Sequence, residues 1–343
     1  MPTTVCMQRR QRGMSLIELM VAMGLGLFLI AGVVNVFLAN KSSTQLETSL
    51  ARLQENGRIA LDLLVADIRD ANYIGCNSGN GSLTVLATGV TWNGVEGFER
   101  RTAGWAPPLG AVLNVAIGST NRTGSDVLSL QHGRTLVNPT SAAIVPGSTA
   151  IPVAGNAECV RQNDLVVVSN CVTAHLIRVT NTPACDGSAT SYEYALGSNN
   201  PASIEPGYPP NTEVMQFFEK TWYVRDTGRE RNDIPVFALY RIENNVEEEM
   251  VEGVEYLQVL YGQELASGNI RYVPASDASL VLDEVVGIRV GILMQSFEPV
   301  RDAADTAAYQ VLDESIGSSG TTYTHNGDRA LRRVFQTTVL FRN

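Results

Sequence analysis

The chain has 343 residues, of which 44% are hydrophobic and 17% are charged. This composition is that of a folded protein rather than a disordered one, and the length allows one large domain or two ordinary ones. The 25 lysines and arginines are outnumbered by 35 aspartates and glutamates, which argues against a nucleic-acid-binding surface because phosphate affinity requires clustered basic side chains.

Near the N-terminus lies a segment that is long and apolar enough to span a bilayer. It covers residues 19–39, "LMVAMGLGLFLIAGVVNVFLA", with Asn35 as its single polar side chain. Arg9, Arg10 and Arg12 precede it without any acidic residue, so the positive-inside rule places the N-terminus in the cytoplasm. We therefore expect everything that follows this segment to be periplasmic or extracellular.

Glu18 is the unusual residue here, because its carboxylate borders the apolar run. The run is too long for an ordinary secretory signal, and no A-x-A cleavage site follows it. Ser15 and Glu18 have capping-box spacing, worth about 1 kcal/mol, whereas an ionised carboxylate well inside the bilayer costs on the order of 2.5–3.5 kcal/mol. A nearby positive charge explains Glu18 better, and a cut after Gly13 would supply one as a free α-amino group.

The stretch "RGMSLIELMVAMGL" resembles the class III signal of type IV prepilins. The resemblance implies that prepilin peptidase removes a leader of residues 1–13 by cutting between Gly13 and Met14, and then methylates the Met14 amine. Glu18 would neutralise that amine during assembly into the filament. Met14 and Ser15 depart mildly from the family's usual Phe and Thr.

The helix is expected to continue beyond the membrane, because apolar and small residues recur at spacings of three and four without an intervening proline. This stripe consists of Leu46, Leu50, Leu53, Gly57, Leu61, Leu64 and Ile68, with Arg52, Glu55, Asp62, Asp67 and Arg69 lying off it. One helix from about Met14 to Tyr73 follows. Its transmembrane or filament-core half would cover 14–40, and its amphipathic half would cover 41–74.

The exported part carries an even number of cysteines, which predicts two disulfides in an oxidising compartment. These candidates are Cys76, Cys159, Cys171 and Cys185, while Cys6 lies in the leader. Three pairings are open; closeness in the chain favours Cys171 with Cys185, which leaves Cys76 with Cys159. No metal site is expected, because CxxC spacing is absent and the histidines are scattered.

Beyond Cys76 the pattern changes to short strand-like stretches separated by Gly, Asn, Ser and Pro. The stretches are "DVLSLQ", "DLVVVSN", "HLIRVT", "QFFEKTWYVR", "PVFALYRI", "EYLQVLYG", "GIRVGILMQS" and "RRVFQTTVLFRN". We expect loops at 77–82, 117–125 and 186–212. The predicted fold is α+β and pilin-like, with a long N-terminal helix packed on a largely antiparallel β-sheet head over residues 75–343.

No catalytic motif of the HExxH, GxSxG, P-loop or CxxC type occurs, so we expect neither an enzyme nor a cofactor. The acidic run 247–249 favours a solvated turn over a calcium site. His175 is expected to be structural. Core packing is also favoured over an exposed binding patch for five aromatic residues. These are Trp92, Trp105, Trp222, Tyr208 and Tyr223.

Three later segments narrow the resemblance to PilW-like minor pilins. They are "ENGRIALDLLVADIRDANYIGC" at 55–76, "VEGVEYLQVLYG" at 251–262 and "LRRVFQTTVLFRN" at 331–343; the region from about 77 to 230 matches less clearly. The resemblance implies a minor pilin that helps to initiate type IV pilus assembly and joins the pilus tip complex, in support of twitching motility, adhesion or DNA uptake.

The implied location is the inner membrane, with a single pass and a periplasmic head, and later the extracellular pilus. The implied partners are prepilin peptidase, PilV-, PilX- and FimU-like minor pilins, a PilY-type tip adhesin, the major pilin and the membrane. Two alternatives stay open, a type II secretion pseudopilin, which shares the N-terminal signal, and an adhesin whose head binds a surface directly. A membrane-anchored enzyme would require a polar cluster in a pocket.

Overall fold

The computed structural model describes residues 15–76, 83–101, 104–108, 117, 121–197, 200, 202–319 and 323–341. The proposed cleavage site between Gly13 and Met14 and the predicted loop 77–82 lie outside these residues. Within them, one long helix joins a β-rich head, which confirms the predicted α+β class.

The helix, α1, spans Leu16–Asp70 without interruption. It ends where Asn72 adopts a left-handed φ of 63° and donates its amide to the Gln131 carbonyl at 2.9 Å. Residues 16–48 are exposed apart from the half-buried Gly26. A window of 18 residues in α1 has a mean hydropathy of 2.4. By length and composition, the helix is therefore able to cross a membrane.

From Ser49 onward one face of α1 is buried in the head. The buried positions are Ser49, Leu53, Gly57, Ala60, Leu64, Asp67 and Ile68. The predicted stripe is therefore correct from Leu53 to Ile68, whereas Leu46 remains 42% exposed because it precedes the head. Asp67, which we placed off the stripe, lies on it, three residues after Leu64.

The larger sheet contains nine of the strands in the described part of the chain. They are β1 (Leu83–Val85), β2 (Val95–Arg101), β3 (Gly104–Ala106), β4 (Asp126–Thr135), β6 (Leu165–Ser169), β7 (Ala174–Arg178), β9 (Glu213–Arg231), β10 (Ile234–Glu243) and β11 (Val246–Glu252). The order is β1-β7-β6-β9-β4-β2-β3, with β10 on β9 and β11 on β10, and only the β1–β7 pair is parallel.

A second, antiparallel sheet has the order β13-β12-β14-β18. Its strands are β12 (Val254–Glu264), β13 (Ile270–Val273), β14 (Val285–Gln295) and β18 (Arg332–Leu340), and a 3₁₀ turn at Leu282–Glu284 precedes β14. Small sheets are formed by β5 (Ala150–Pro152) with β8 (Ser191–Glu193), and by β15 (Tyr309–Val311), β16 (Glu314–Gly317) and β17 (Tyr323–Thr324).

Each of the eight strand-like stretches of the sequence contains most of a strand or lies within one, but one loop prediction and one turn prediction are wrong. Strand β8 interrupts the predicted loop 186–212, because it pairs with β5. The acidic run 247–249 is not a turn but belongs to β11, which is antiparallel to β10.

The main hydrophobic core joins α1 to both large sheets. Leu64 of the helix belongs to one buried cluster with Trp222 of β9, Leu257 of β12 and Ile292 of β14, each fully buried. A second cluster lies among β6, β7 and the segments around β5 and β8, where Tyr192 is 1% exposed. The second half of the helix is thus the element on which the two large sheets are assembled.

Candidate assembly site

The first part of α1 is exposed because the head does not cover it. Ser15 is the N-cap residue of α1, but its side chain makes no capping hydrogen bond. Glu18 is exposed in the first turn. The capping-box explanation of Glu18 therefore gains no support from this geometry, and the carboxylate is available to a partner.

The helix enters the head at a polar contact with the loop after β14. Glu298 accepts hydrogen bonds from Ser49 Oγ at 3.1 Å and from Arg52 at 3.3 Å. A groove of about 620 Å³ lies here, lined by Glu298 and by one side of the helix between Phe37 and Arg52. This contact marks the boundary between the free part of α1 and its packed part.

One helix turn before its end, α1 is held by a buried carboxylate. Asp67 is 6% exposed, and it accepts hydrogen bonds from Lys220 Nζ at 2.6 Å and from Trp222 Nε1 at 3.0 Å. Both donors lie on β9, so the helix is bonded to the larger sheet by a charged pair whose members are both largely removed from water.

Nearer its middle, the same buried face of α1 packs on the C-terminal strand. A β-carbon placed on Gly57 would lie 2.7 Å from Cε2 of Phe335 on β18, so the ring occupies the space that a larger side chain would need. Glycine at this position allows the helix and the strand to approach closely. Two of the three segments that resemble PilW, 55–76 and 331–343, meet at this contact.

The remaining PilW-like segment, 251–262, is joined to the segment 331–343 by a buried ion pair. Arg332 Nε lies 2.7 Å from Glu255 Oε2, and both side chains are fully buried. Glu255 also pairs with Arg122 at 3.1 Å, and Arg332 donates to both carboxylate oxygens of Asp328. Burial by itself would lower the pKa of Arg332, but Glu255 and Asp328 raise it above its ordinary value.

The four cysteines form two disulfides, but not in the favoured pairing. Cys76 is bonded to Cys171, and Cys159 to Cys185. The prediction of Cys171 with Cys185 is wrong, because the turn between β6 and β7 lies beside the end of α1 rather than beside Cys185. The first bond therefore links the segment that follows the helix to the turn between β6 and β7 of the larger sheet, across 95 positions of sequence.

The acidic run on β11 is paired with arginines of β10, the adjacent strand, and of β9, the next strand beyond it. Glu247 accepts from Arg225 at 3.0 Å, and Glu248 accepts from Arg241 at 3.0 Å. Glu249 forms an ion pair with Arg229. No group of three or more His, Cys, Asp or Glu side chains placed to hold a metal occurs in the described ranges.

His175 contacts one of the aromatic residues that the sequence singled out, Tyr208, but the five aromatic residues do not come together. His175 is 2% exposed, with Nδ1 at 2.6 Å from the Tyr208 hydroxyl and Nε2 at 3.1 Å from the Glu205 carbonyl. Burial lowers its pKa. The five aromatic residues pack in four different clusters, so they form core rather than one binding patch. Trp222, Tyr208 and Tyr223 are buried, and Trp92 and Trp105 are partly buried.

An apolar, exposed helical segment that continues into a packed half beneath a β-rich head is the architecture of a pilin-type subunit. Comparison with models of known protein families points to the same class of protein. The model described as Type IV Pilus-assembly protein W matches residues 222–343, and the Prokaryotic N-terminal methylation motif matches residues 8–34. Together the two matches support a PilW-like type IV pilin.

The two matches indicate a class of protein, but they cover only parts of the chain. Both families are pilus components rather than enzymes. No curated protein matches this chain. The apolar helix and the methylation motif fit a membrane-anchored pilin. The PilW match begins at Trp222, so it includes β10 to β18 and leaves out the disulfide-bonded region before it.

Proposed function

We propose that this chain is a minor pilin that takes part in initiating type IV pilus assembly and in the complex at the pilus tip. The observation that supports this most is the presence of the methylation motif and the PilW match at opposite ends of one chain. The helix that begins in the methylation motif also reaches the PilW-matched region, because Gly57 of that helix packs against Phe335 of the last strand. Twitching motility, adhesion or DNA uptake would be the processes served.

The proposed organisation begins with a leader, residues 1–13, that prepilin peptidase removes before methylating Met14. Residues 14–40 would form the transmembrane and later filament-core helix, residues 41–74 its amphipathic continuation, and residues 75–343 the head. The N-terminus would be cytoplasmic and the head periplasmic, then extracellular. Two disulfides agree with an oxidising compartment for the head.

In this proposal Glu18 pairs, during assembly, with the free Met14 amine of the subunit beside it in the filament. An amine and a carboxylate 4 Å apart attract each other by about 4 kcal/mol at an effective dielectric constant of 20. That attraction would fix the register of the subunit in the filament core. The head would then contact PilV-, PilX- and FimU-like minor pilins, a PilY-type tip adhesin and the major pilin.

Mass spectrometry of the N-terminus, on protein purified from its own host, tests the pathway. We expect a chain that begins at a methylated Met14, and an intact leader would contradict the proposal. Deletion of the gene tests the role, because a minor pilin that initiates assembly is needed for a normal number of surface pili. Normal piliation together with lost protein secretion would instead indicate a type II secretion pseudopilin, which has the same N-terminal signal.

A further inference from the structure

The last strand, β18, forms the outer edge of the four-stranded sheet. Such an edge presents unpaired backbone N–H and C=O groups, and proteins normally protect it by shortness, charge, proline or a bulge. In β18 these protections are absent from residues 334–340, "VFQTTVL", which contain neither charge nor proline. All nine of its residues pair with β14 without a register shift.

The other edges in the described part of the head are protected. Strands β1 and β3, at the two ends of the larger sheet, have three residues each, and β13 has four, including Arg271. Strand β11 has seven residues, but four of them are glutamates. Compared with these four edge strands, β18 is the longest and has the longest run of uncharged residues.

The edge is open although both faces of β18 are used. Phe335 faces α1 at Gly57, while Val334, on the other face, packs with the cluster that contains Val311 of β15. Gln336 and Thr338 are exposed, and Leu340 is 57% exposed. No strand among the described residues pairs with the outer side of β18.

We propose that β18 accepts, as an added strand, an extended segment of a different pilin-type subunit that lies beside it in the filament. This segment would have an acidic residue near one of its ends. This inference rests on the proposed function. The helix that would enter the filament packs directly across β18, so a subunit beside that helix reaches this edge. Arg333 at the start of β18 and the exposed Arg58 beside Gly57 have no acidic partner among the described residues, which favours an acidic segment. Added strands gain affinity mainly from backbone hydrogen bonds.

Proline substitutions test the backbone contribution. In an antiparallel pair, successive residues direct their backbone groups alternately toward and away from the partner. One of Thr337 and Thr338 therefore has its N–H on the open side, and a proline there removes an outward donor while leaving the β14 pairing intact. Thr337→Pro and Thr338→Pro are both made, and the variant that retains the wild-type melting temperature is the edge variant. Alanine at the same position keeps the N–H and is the matched control.

The readouts are copurification of pilin-type subunits with the tagged full-length chain, solubilised from host membranes, and hydrogen exchange of residues 332–341. We expect the alternate amides of β18 that exchange rapidly in the isolated chain to become protected in the complex. The edge variant should lose most of the copurifying subunit, while the alanine control should retain it.

Equal copurification by the edge variant, or unchanged exchange in β18, would overturn the strand addition and leave the proposed function standing. Protection of β18 by a second, differently tagged copy of this chain would overturn the assignment of the occupant. Failure of the wild-type chain to copurify with any pilin-type subunit would count against the proposed function itself, and the inference would fall with it.

Discussion

Asp67 on the helix and Trp222 on β9 are joined by a hydrogen bond of 3.0 Å from the indole Nε1 to the carboxylate, and both residues are buried. The carboxylate also accepts from Lys220, so one side chain satisfies two donors of the sheet. This arrangement sets the position of the last helix turns relative to the head, and it lies outside the membrane-facing part of α1.

Asp67→Ala should therefore lower the free energy of unfolding by about 3–5 kcal/mol, the usual cost of leaving one partner of a buried ion pair without its counter-charge. Thermal and urea unfolding of the full-length chain in detergent measure this. Asp62→Ala, at an exposed position of the same helix, is the control and should change stability by less than about 0.5 kcal/mol. Equal effects of the two variants would contradict the interpretation.

Gly57→Leu should separate the helix from β18, because even a β-carbon there would lie 2.7 Å from Phe335. We expect a loss of about 1–3 kcal/mol, as for other overpacked cores. Combining it with Phe335→Ala provides the check. In the double-mutant cycle, Gly57→Leu should cost less when the ring is absent, whereas strictly additive effects would show that the two residues do not contact each other.

The two disulfides should differ in their contribution to stability. The Cys76–Cys171 bond spans 95 residues of sequence and Cys159–Cys185 spans 26. In the chain-entropy treatment, bonds closing loops of these lengths stabilise by about 4.7 and about 3.5 kcal/mol. Replacing Cys76 and Cys171 by serine should therefore lower the melting temperature more than replacing Cys159 and Cys185.

Peptide mapping without reduction tests the pairing independently of stability. It should recover Cys76 linked to Cys171 and Cys159 linked to Cys185. A peptide that links Cys171 to Cys185 would show that the closeness of these residues in the chain, rather than the fold, had decided the pairing.

Stability should fall as the pH drops below 6.5, because burial lowers the pKa of both His132 and His175 from that ordinary value. In the unfolded chain these histidines bind protons at a higher pH than in the folded chain, so acid favours unfolding. Unfolding free energies measured between pH 8 and pH 5 should show this slope. The slope should flatten in the His132→Gln, His175→Gln double variant, and an unchanged slope would assign it to other groups.

Glu18→Ala should reduce incorporation into filaments at least about tenfold, since losing only 1.4 kcal/mol of the proposed attraction to the Met14 amine suffices for that factor. The measurement is the amount of the chain in sheared pili relative to the membrane fraction. Glu47→Ala, which removes another exposed carboxylate from the same helix, should leave incorporation unchanged. Undiminished incorporation of the Glu18 variant would reject the role proposed for this residue.

Local patterns in the sequence were enough to predict the helix and the main strands, since each depends on near neighbours in the chain. The spacing of three and four from Leu53 to Ile68 produced the buried helix face. Asp67 belongs to that face although the sequence prediction places it off the stripe, and its position three residues after Leu64 is the local signal that indicates its burial. Its partners on β9 are more than 150 residues away and leave no local trace.

By itself, the sequence determined an apolar N-terminal helix, an amphipathic continuation, a β-rich head and an even set of cysteines, because hydrophobic periodicity and composition act over short distances along the chain. Only the tertiary structure decided that Cys76 meets Cys171, that Glu255 meets Arg332, and that β18 lies at a sheet edge. Each of these depends on which segments the packing of α1 and the two sheets brings together, and distance along the chain does not specify distance in space.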